Sequence, residues 1–129
     1  MTTDLAGMDC RRLVLVVESD SVVRHLLIQH LEANGCAVHA TASAREAAEK
    51  LNSSVYDLIF TESHLNDGNG DQLARAVRSH PQHRKTPIIA VSADDSTETV
   101  DSLLKAGVNH FVAKPVFRVQ IRAILDIIF

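Results

Sequence analysis

The chain has 129 residues, 46% of them hydrophobic, and a formal net charge of −3. That length suits one domain able to bury a core without metals or disulfides, and the apolar share excludes a disordered chain. The acidic balance removes the electrostatic case for direct nucleic-acid binding, which draws on a basic surface.

Residues 1–10 carry Asp4 and Asp9 and no basic n-region, so they read as an N-terminal extension and not as a signal or transit peptide. The domain is expected over 11–129. Leu13-Val14-Leu15-Val16-Val17 is a continuous apolar run, the pattern of a strand buried on both faces. Glu18-Ser19-Asp20-Ser21 follows as a polar turn, with Asp20 or Ser21 as the N-cap of a helix. From Val22 to Asn34, Val23, Leu26, Leu27 and Leu31 fall at helical spacing, and Gly35 suits a left-handed C-cap.

Cys36 to Thr41 reads as a short second strand, and Ser43-Ala44-Arg45-Glu46 as a capping box opening a helix through Leu51. Asp57, an acid at the strand entrance, leads into Leu58-Ile59-Phe60 and a third strand ending at Thr61. Residues 63–70 form a loop dense in Asn, Asp and Gly. A third helix is expected from about Asp71 to Ser79, a fourth strand at Ile88-Ile89-Ala90-Val91, and a fourth helix over Thr97–Ala106 ending at Gly107. Asp94-Asp95 falls where acids favour a helix N-terminus. The fifth strand is His110 to Ala113; Lys114-Pro115 and a last helix to Phe129 complete the chain.

Cys10 and Cys36 read as reduced thiols. None of the seven histidines makes an HxxxH or HxH pair, and His80 and His83 are split by Pro81, so no histidine metal site is expected. No apolar run approaches the ~18 residues of a membrane span. No membrane contact is expected, and the expected location is the cytoplasm.

Strict alternation of strand and helix implies a parallel sheet covered on both faces with right-handed crossovers. Ligands of such sheets bind outside the carboxyl ends of the strands. The residues there are Glu18-Ser19-Asp20, Thr61-Glu62-Ser63-His64, Ser92-Ala93 and Lys114-Pro115. Topology gathers carboxylates, a hydroxyl and an ammonium that are far apart in the chain.

The order and spacing of these residues resemble the receiver domain of two-component response regulators over about Arg11–Phe129. The resemblance rests on five features in order. They are the Val-Val-acidic turn with Arg24 downstream, Asp57-Leu58-Ile59 leading to an acid, Gly70 eight residues after Glu62, Pro87-Ile88-Ile89 leading to Ser92-Ala93, and Ala106-Gly107 before Phe111-Val112-Ala113-Lys114-Pro115. It implies a flavodoxin-like (βα)5 doubly wound sandwich with a five-stranded parallel sheet in the order 2-1-3-4-5. In that family an Asp after the third strand accepts a phosphoryl group from a histidine kinase, and an acidic pair after the first strand helps hold Mg²⁺. A Ser or Thr after the fourth strand and the Lys before Pro contact the phosphoryl oxygens. Carried onto this chain, the phosphoryl-contact positions are Ser92 and Lys114, the first acidic position is Glu18, and Phe111 is the aromatic switch candidate, or plain core. Glu18, Glu62 and the backbone carbonyl of His64 make up the acidic pocket that would hold a metal.

Two positions depart from the pattern. Ser19 stands where the second acid is expected, and Glu62 stands where the phosphoacceptor Asp is expected; Leu65-Asn66-Asp67 also lacks the usual Pro. Mg²⁺ wants near-ideal octahedral oxygen ligands, so losing one carboxylate leaves at most a weak site. Glutamate reaches about 1.5 Å further than aspartate, a displacement that in-line transfer tolerates poorly. The same reach carries its carboxylate toward Lys114 and Ser92, where charge-assisted hydrogen bonds would make it a partial mimic of a phosphoaspartate. The mimicry is partial because a carboxylate carries about −1 against roughly −1.5 to −2 for a phosphoryl group.

The expected function is therefore that of a degenerate, phosphorylation-independent receiver acting through protein–protein interaction, not an enzyme. Its expected partners are a histidine kinase or another signalling protein, and a second copy through the fourth helix, fifth strand and fifth helix. An active phosphoacceptor with weakened Mg²⁺ binding is the alternative, and a structural Glu62–Lys114 ion pair with no switching role is a third reading. Glu18-Ser19-Asp20 also loosely resembles the Asp-x-Asp motif of haloacid-dehalogenase-type phosphatases, although Glu18 stands in the nucleophile position. A flavin binder of the same topology is disfavoured by the acids of that loop, which repel phosphate. In the last helix Phe117, Ile121, Ile124, Leu125 and Ile128 form the expected stripe toward the sheet, with Val119, Ile127 and Phe129 apolar beyond it. No effector domain is expected after Phe129, which leaves a stand-alone domain or the amino-terminal part of a larger regulator.

Overall fold

Apolar runs too short for helices become central strands here because helices cover both faces of the sheet. The computed structural model describes residues 11–129; the expected 1–10 extension, with Cys10, lies outside the described residues. The strands are β1 (Leu13–Val17), β2 (Ala37–Thr41), β3 (Leu58–Glu62), β4 (Ile88–Ser92) and β5 (His110–Ala113). They form one sheet in the order β2-β1-β3-β4-β5, all parallel. The helices are α1 (Ser21–Ala33), α2 (Ala44–Ser53), α3 (Gly70–Ser79), α4 (Thr97–Ala106) and α5 (Arg118–Ile128).

Alternation along the strands divides the core. Leu15, Val17, Ile59, Ile88 and Ala90 pack with Ala47 and Leu51 of α2, Leu73, Ala74 and Val77 of α3, and Leu103 and Ala106 of α4. Val14, Val16, Leu58, Phe60, Ile89 and Val91 pack with Leu27 and Leu31 of α1 and Ile121, Ile124 and Leu125 of α5. Register then aligns the strand ends: Val17 lies beside Thr61, Glu62 beside Val91, and Ser92 beside Ala113.

Caps set the helix limits. Asp20, not Ser21, caps α1, accepting from the Val22 and Val23 amides. Ser43 caps α2 by accepting from Glu46 N, while Glu46 reaches back one residue further than a capping box requires, to Ala42 N. Gly35 and Gly107 hold φ of +86° and +113°, the left-handed conformation that ends a helix.

Three expectations are corrected. Phe117 leaves the expected stripe: it is the N-cap of α5 and 58% exposed. Leu26 is exposed, on the flank of the α1 stripe. The 63–70 loop contains a two-residue antiparallel ladder, His64–Leu65 against Gly68–Asn69, and its last residue already opens α3. Asp57 at the strand entrance accepts a bond from Leu13 N, pinning β3 to β1.

Histidines that would otherwise invite a metal reading make hydrogen bonds. His83 is fully buried, and its Nε2 accepts from Tyr56 N at 3.1 Å. Its Nδ1 therefore carries the proton donated to His80 Nδ1 at 3.2 Å, and His80 Nε2 donates to Asn52 Oδ1. Burial, with His80 beside it, holds the His83 pKa below the ordinary histidine value, so the ring is neutral.

Arg78, at the end of α3, is the main clamp outside the core. Its guanidinium donates to the carbonyls of His83, Arg84, Thr86 and Gly107 and to Asn109 Oδ1. Asn109 Oδ1 also accepts from Ile88 N, so the clamp reaches the start of β4. Arg78→Ala leaves these half-buried carbonyls unpaired and should lower the unfolding free energy by about 2–4 kcal/mol. Urea denaturation measures the loss, which would show as an earlier midpoint with an unchanged slope.

Candidate functional site

The aligned strand ends bring Glu18, Glu62 and Lys114 together. Lys114 follows β5 directly, and its amide donates to Ser92 O at 2.9 Å, which fixes where its side chain starts. Its Nζ lies 2.9 Å from Glu62 Oε2 and 3.1 Å from Glu18 Oε1, so one ammonium bridges both carboxylates. Ser19 Oγ donates to the other Glu62 oxygen at 2.7 Å. The β1–α1 turn that carries Glu18 and Ser19 is held by Arg24, whose Nη1 donates to Glu18 O at 2.8 Å, and Asp20 N donates to Glu18 Oε2.

The two carboxyls are not equivalent. Glu18 is 1% exposed; burial first, then the Glu62 carboxylate beside it, raises its pKa from 4.5 to about 7. Burial also pushes Glu62 up, but Lys114, the Glu18 carboxyl and the Ser19 hydroxyl together hold it below the usual carboxylate range. Burial lowers the Lys114 ammonium, and its bonds to Glu62 and Glu18 more than offset this and leave it raised. The resulting state is Lys114⁺ with ionised Glu62, and Glu18 carrying a proton up to near neutrality.

Ser92 does not join this group. Its buried hydroxyl pairs with Ser63 Oγ and accepts from Asp94 N at 3.0 Å. The expected Ser92–Glu62 contact is therefore replaced: Ser63, one residue past β3, reaches Ser92, while Glu62 turns to Ser19 and Lys114. Gly70 packs so tightly on this corner that a Cβ there would collide with Glu62 O, and Gly70 N donates to Ser63 O. Phe111 is half-buried against the cluster beneath α2, α3 and α4.

One pairing escaped the sequence reading. His64 Nε2 bonds Asp94 Oδ2 at 3.0 Å, joining the loops after β3 and β4. Asp94 also accepts from Ser96 N and Thr99 Oγ1, and these partners, His64 first, hold it far below the ordinary aspartate value. Asp94 in turn raises His64. The sign of the pairing lay in two facing loops each holding a titratable residue, but nothing in the linear spacing joined 64 to 94.

Magnesium does not fit this donor set as arranged. Both Glu62 oxygens have partners, Ser19 spends its hydroxyl as a donor, and Lys114 offsets the carboxylate charge a divalent cation needs. Glu18 Oε1 is the one buried side-chain oxygen without a hydrogen bond among the described residues, and it already faces Lys114. Those residues also hold no group of three His, Cys, Asp or Glu side chains arranged for a metal.

A family model described as the response regulator receiver domain matches residues 14–126. The chain is 31% identical over 106 residues to the response regulator protein PilR of Pseudomonas aeruginosa, covering 82% of this chain and 23% of PilR. It is 30% identical over 118 residues to the hybrid signal transduction histidine kinase L of Dictyostelium discoideum, covering 87% of this chain and 7% of that protein. It thus spans only a small part of these two relatives. Among solved structures, the receiver domain of the sensor histidine kinase PA1611 of Pseudomonas aeruginosa superposes with a TM-score of 0.84 at 27% identity. The match covers 91% of this chain and 96% of that domain, which holds a magnesium ion in its active-site cleft. The chemotaxis response regulator CheY4 of Vibrio cholerae superposes with a TM-score of 0.86 at 24% identity, covering 92% of this chain and 99% of CheY4, a likeness of fold.

The raised Glu18 has a thermodynamic consequence. Its folded value of about 7 lies above the unfolded 4.5, so the folded chain binds more protons between them. Stability contributed by this group is therefore present at low pH and lost as pH rises through 7. Glu18→Gln should flatten that dependence, so that the variant's stability relative to wild type rises by about 1–3 kcal/mol between about pH 5 and pH 8. Urea unfolding at both values measures it, and a constant difference contradicts the assignment.

Proposed function

The chain belongs to the response regulator receiver family, and on that premise we propose that it is a degenerate receiver whose output does not depend on phosphorylation. The carrying observation is the 2.9 Å contact between Lys114 Nζ and Glu62 Oε2, with Ser19 on the other Glu62 oxygen. The position that accepts a phosphoryl group in the family is filled by a longer carboxylate, already paired with the lysine that would meet the phosphoryl group. Glu62 satisfies the lysine arm and leaves the hydroxyl arm, Ser92, with Ser63 and Asp94. It is a mimic of half the phosphorylated state.

Such a domain signals by contact. Its partner is a histidine kinase or another signalling protein, and no step of bond making at Glu62 is required. No described helix is long and apolar enough to cross a membrane. Exposed Leu104 on α4 and Ile127 on α5 support self-association through the α4–β5–α5 face. Mg²⁺ binding is weak at most, for want of an open pair of carboxylates.

Incubation with a radiolabelled small acyl phosphate and Mg²⁺ tests the reading. The wild-type chain should take up no stable label. The Ser19→Asp, Glu62→Asp double variant, with the acid pair and the shorter acceptor in place, should gain it. Stable wild-type label that disappears in Glu62→Ala would establish an active phosphoacceptor instead.

A further inference from the structure

A cleft lies at the other end of the sheet from Glu62. Between α5 and the turn joining α1 to β2, two cavities of about 450 and 410 Å³ adjoin, sharing Asn34 and Arg122. They are separated from the Glu62 pole by the length of β1, roughly 16 Å for five residues. Arg11, Arg12, Arg118 and Arg122 line them, with Asp126 as the one acidic side chain among the described residues. Four guanidiniums on one cleft stand out in a chain of net charge −3.

Three of these arginines are positioned and not simply solvated. Arg12 lies 4.6 Å over the Phe129 ring. Arg122 donates to Asn34 Oδ1 at 3.2 Å and pairs with Asp126 at 3.2 Å. Arg11 donates to Cys36 O at 3.4 Å. Among the described residues each has further N–H donors without a partner, in the planar fork that matches a carboxylate. The arginines are exposed, so a single small anion gains little here. Several carboxylates held on one chain gain far more, because each bond after the first is intramolecular. Val119 and Phe129, both exposed, add apolar surface that an inorganic anion or a phosphate backbone does not use.

We propose that this cleft docks an acidic, apolar-interleaved segment of a partner polypeptide. The site is independent of Glu62 and leaves the carboxylate–lysine pole free.

Fluorescence anisotropy of the full chain with a fluorescein-labelled peptide of alternating glutamate and leucine tests the proposal. The expected result is saturable binding that weakens with added salt and falls about tenfold in Arg118→Ala, Arg122→Ala, a loss worth about 1.4 kcal/mol. Amide shifts at Asn34, Gly35 and Cys36 should accompany it, and thermal melts should show the variant folded. Arg12→Ala, made separately, should weaken binding in the same direction. Absence of saturable binding, equal binding by the variants, or equal binding of a lysine–leucine peptide would overturn the proposal. So would tighter binding of duplex DNA. Self-association lost in the same variants would assign the cleft to a second copy and equally overturn it.

Discussion

Lys114 is the group on which the site depends. Its backbone is held to β4 by the bond to Ser92 O, and its side chain returns across the strand ends to Glu18 and Glu62. The carboxyl ends of β1, β3 and β5 thereby meet at one ammonium. Two carboxyls at a buried corner would repel each other strongly if both were ionised and unpaired. The structure resolves this in two ways: Lys114 neutralises Glu62, and Glu18 keeps its proton to about pH 7. Ser19 adds a neutral donor where the family places a further negative charge, and so helps the cluster to balance without a metal.

That balance divides the functional pole. On one side, Glu62, Ser19, Glu18 and Lys114 satisfy one another. On the other, Ser63, Ser92, Asp94 and His64 form a separate network joining the loops after β3 and β4. A phosphoryl group presents oxygens toward both the lysine and the hydroxyl; the Glu62 carboxylate, with Oε1 turned to Ser19 and Oε2 to Lys114, makes no bond to Ser92. Half-mimicry is thus a consequence of where the two oxygens point, with Ser63 taking the place beside Ser92. The arginine-lined cleft at the opposite end shares none of these residues.

Most of the fold was legible in the sequence because its signals are redundant. Five apolar runs, the polar residues at helix starts and the glycines at Gly35 and Gly107 all agree with one topology, and the strands form where the runs lie. Phe117 was misplaced because helical periodicity cannot show where the first turn begins; the chain enters α5 one residue later than the stripe implied. The meeting of Glu18, Glu62 and Lys114 followed from topology alone. The choice made by Ser92 did not, because it depends on which of two neighbouring side chains, Glu62 or Ser63, points toward it. The His64–Asp94 pair and the Arg78 clamp were hidden for a similar reason. Their partners are backbone carbonyls and loop residues brought near only by the completed sheet.

The central proposal is that the Glu62–Lys114 pair leaves at most weak magnesium binding and no acceptor for a phosphoryl group. The most direct measurement follows the backbone amides of Glu18 to Asp20 and Glu62 to His64 by NMR while Mg²⁺ is added to the full chain. The account predicts no saturable movement of these signals at millimolar Mg²⁺, and saturable movement once Ser19→Asp and Glu62→Asp are introduced together. Saturable shifts in the wild-type chain at or below millimolar Mg²⁺, centred on those same amides, would contradict it.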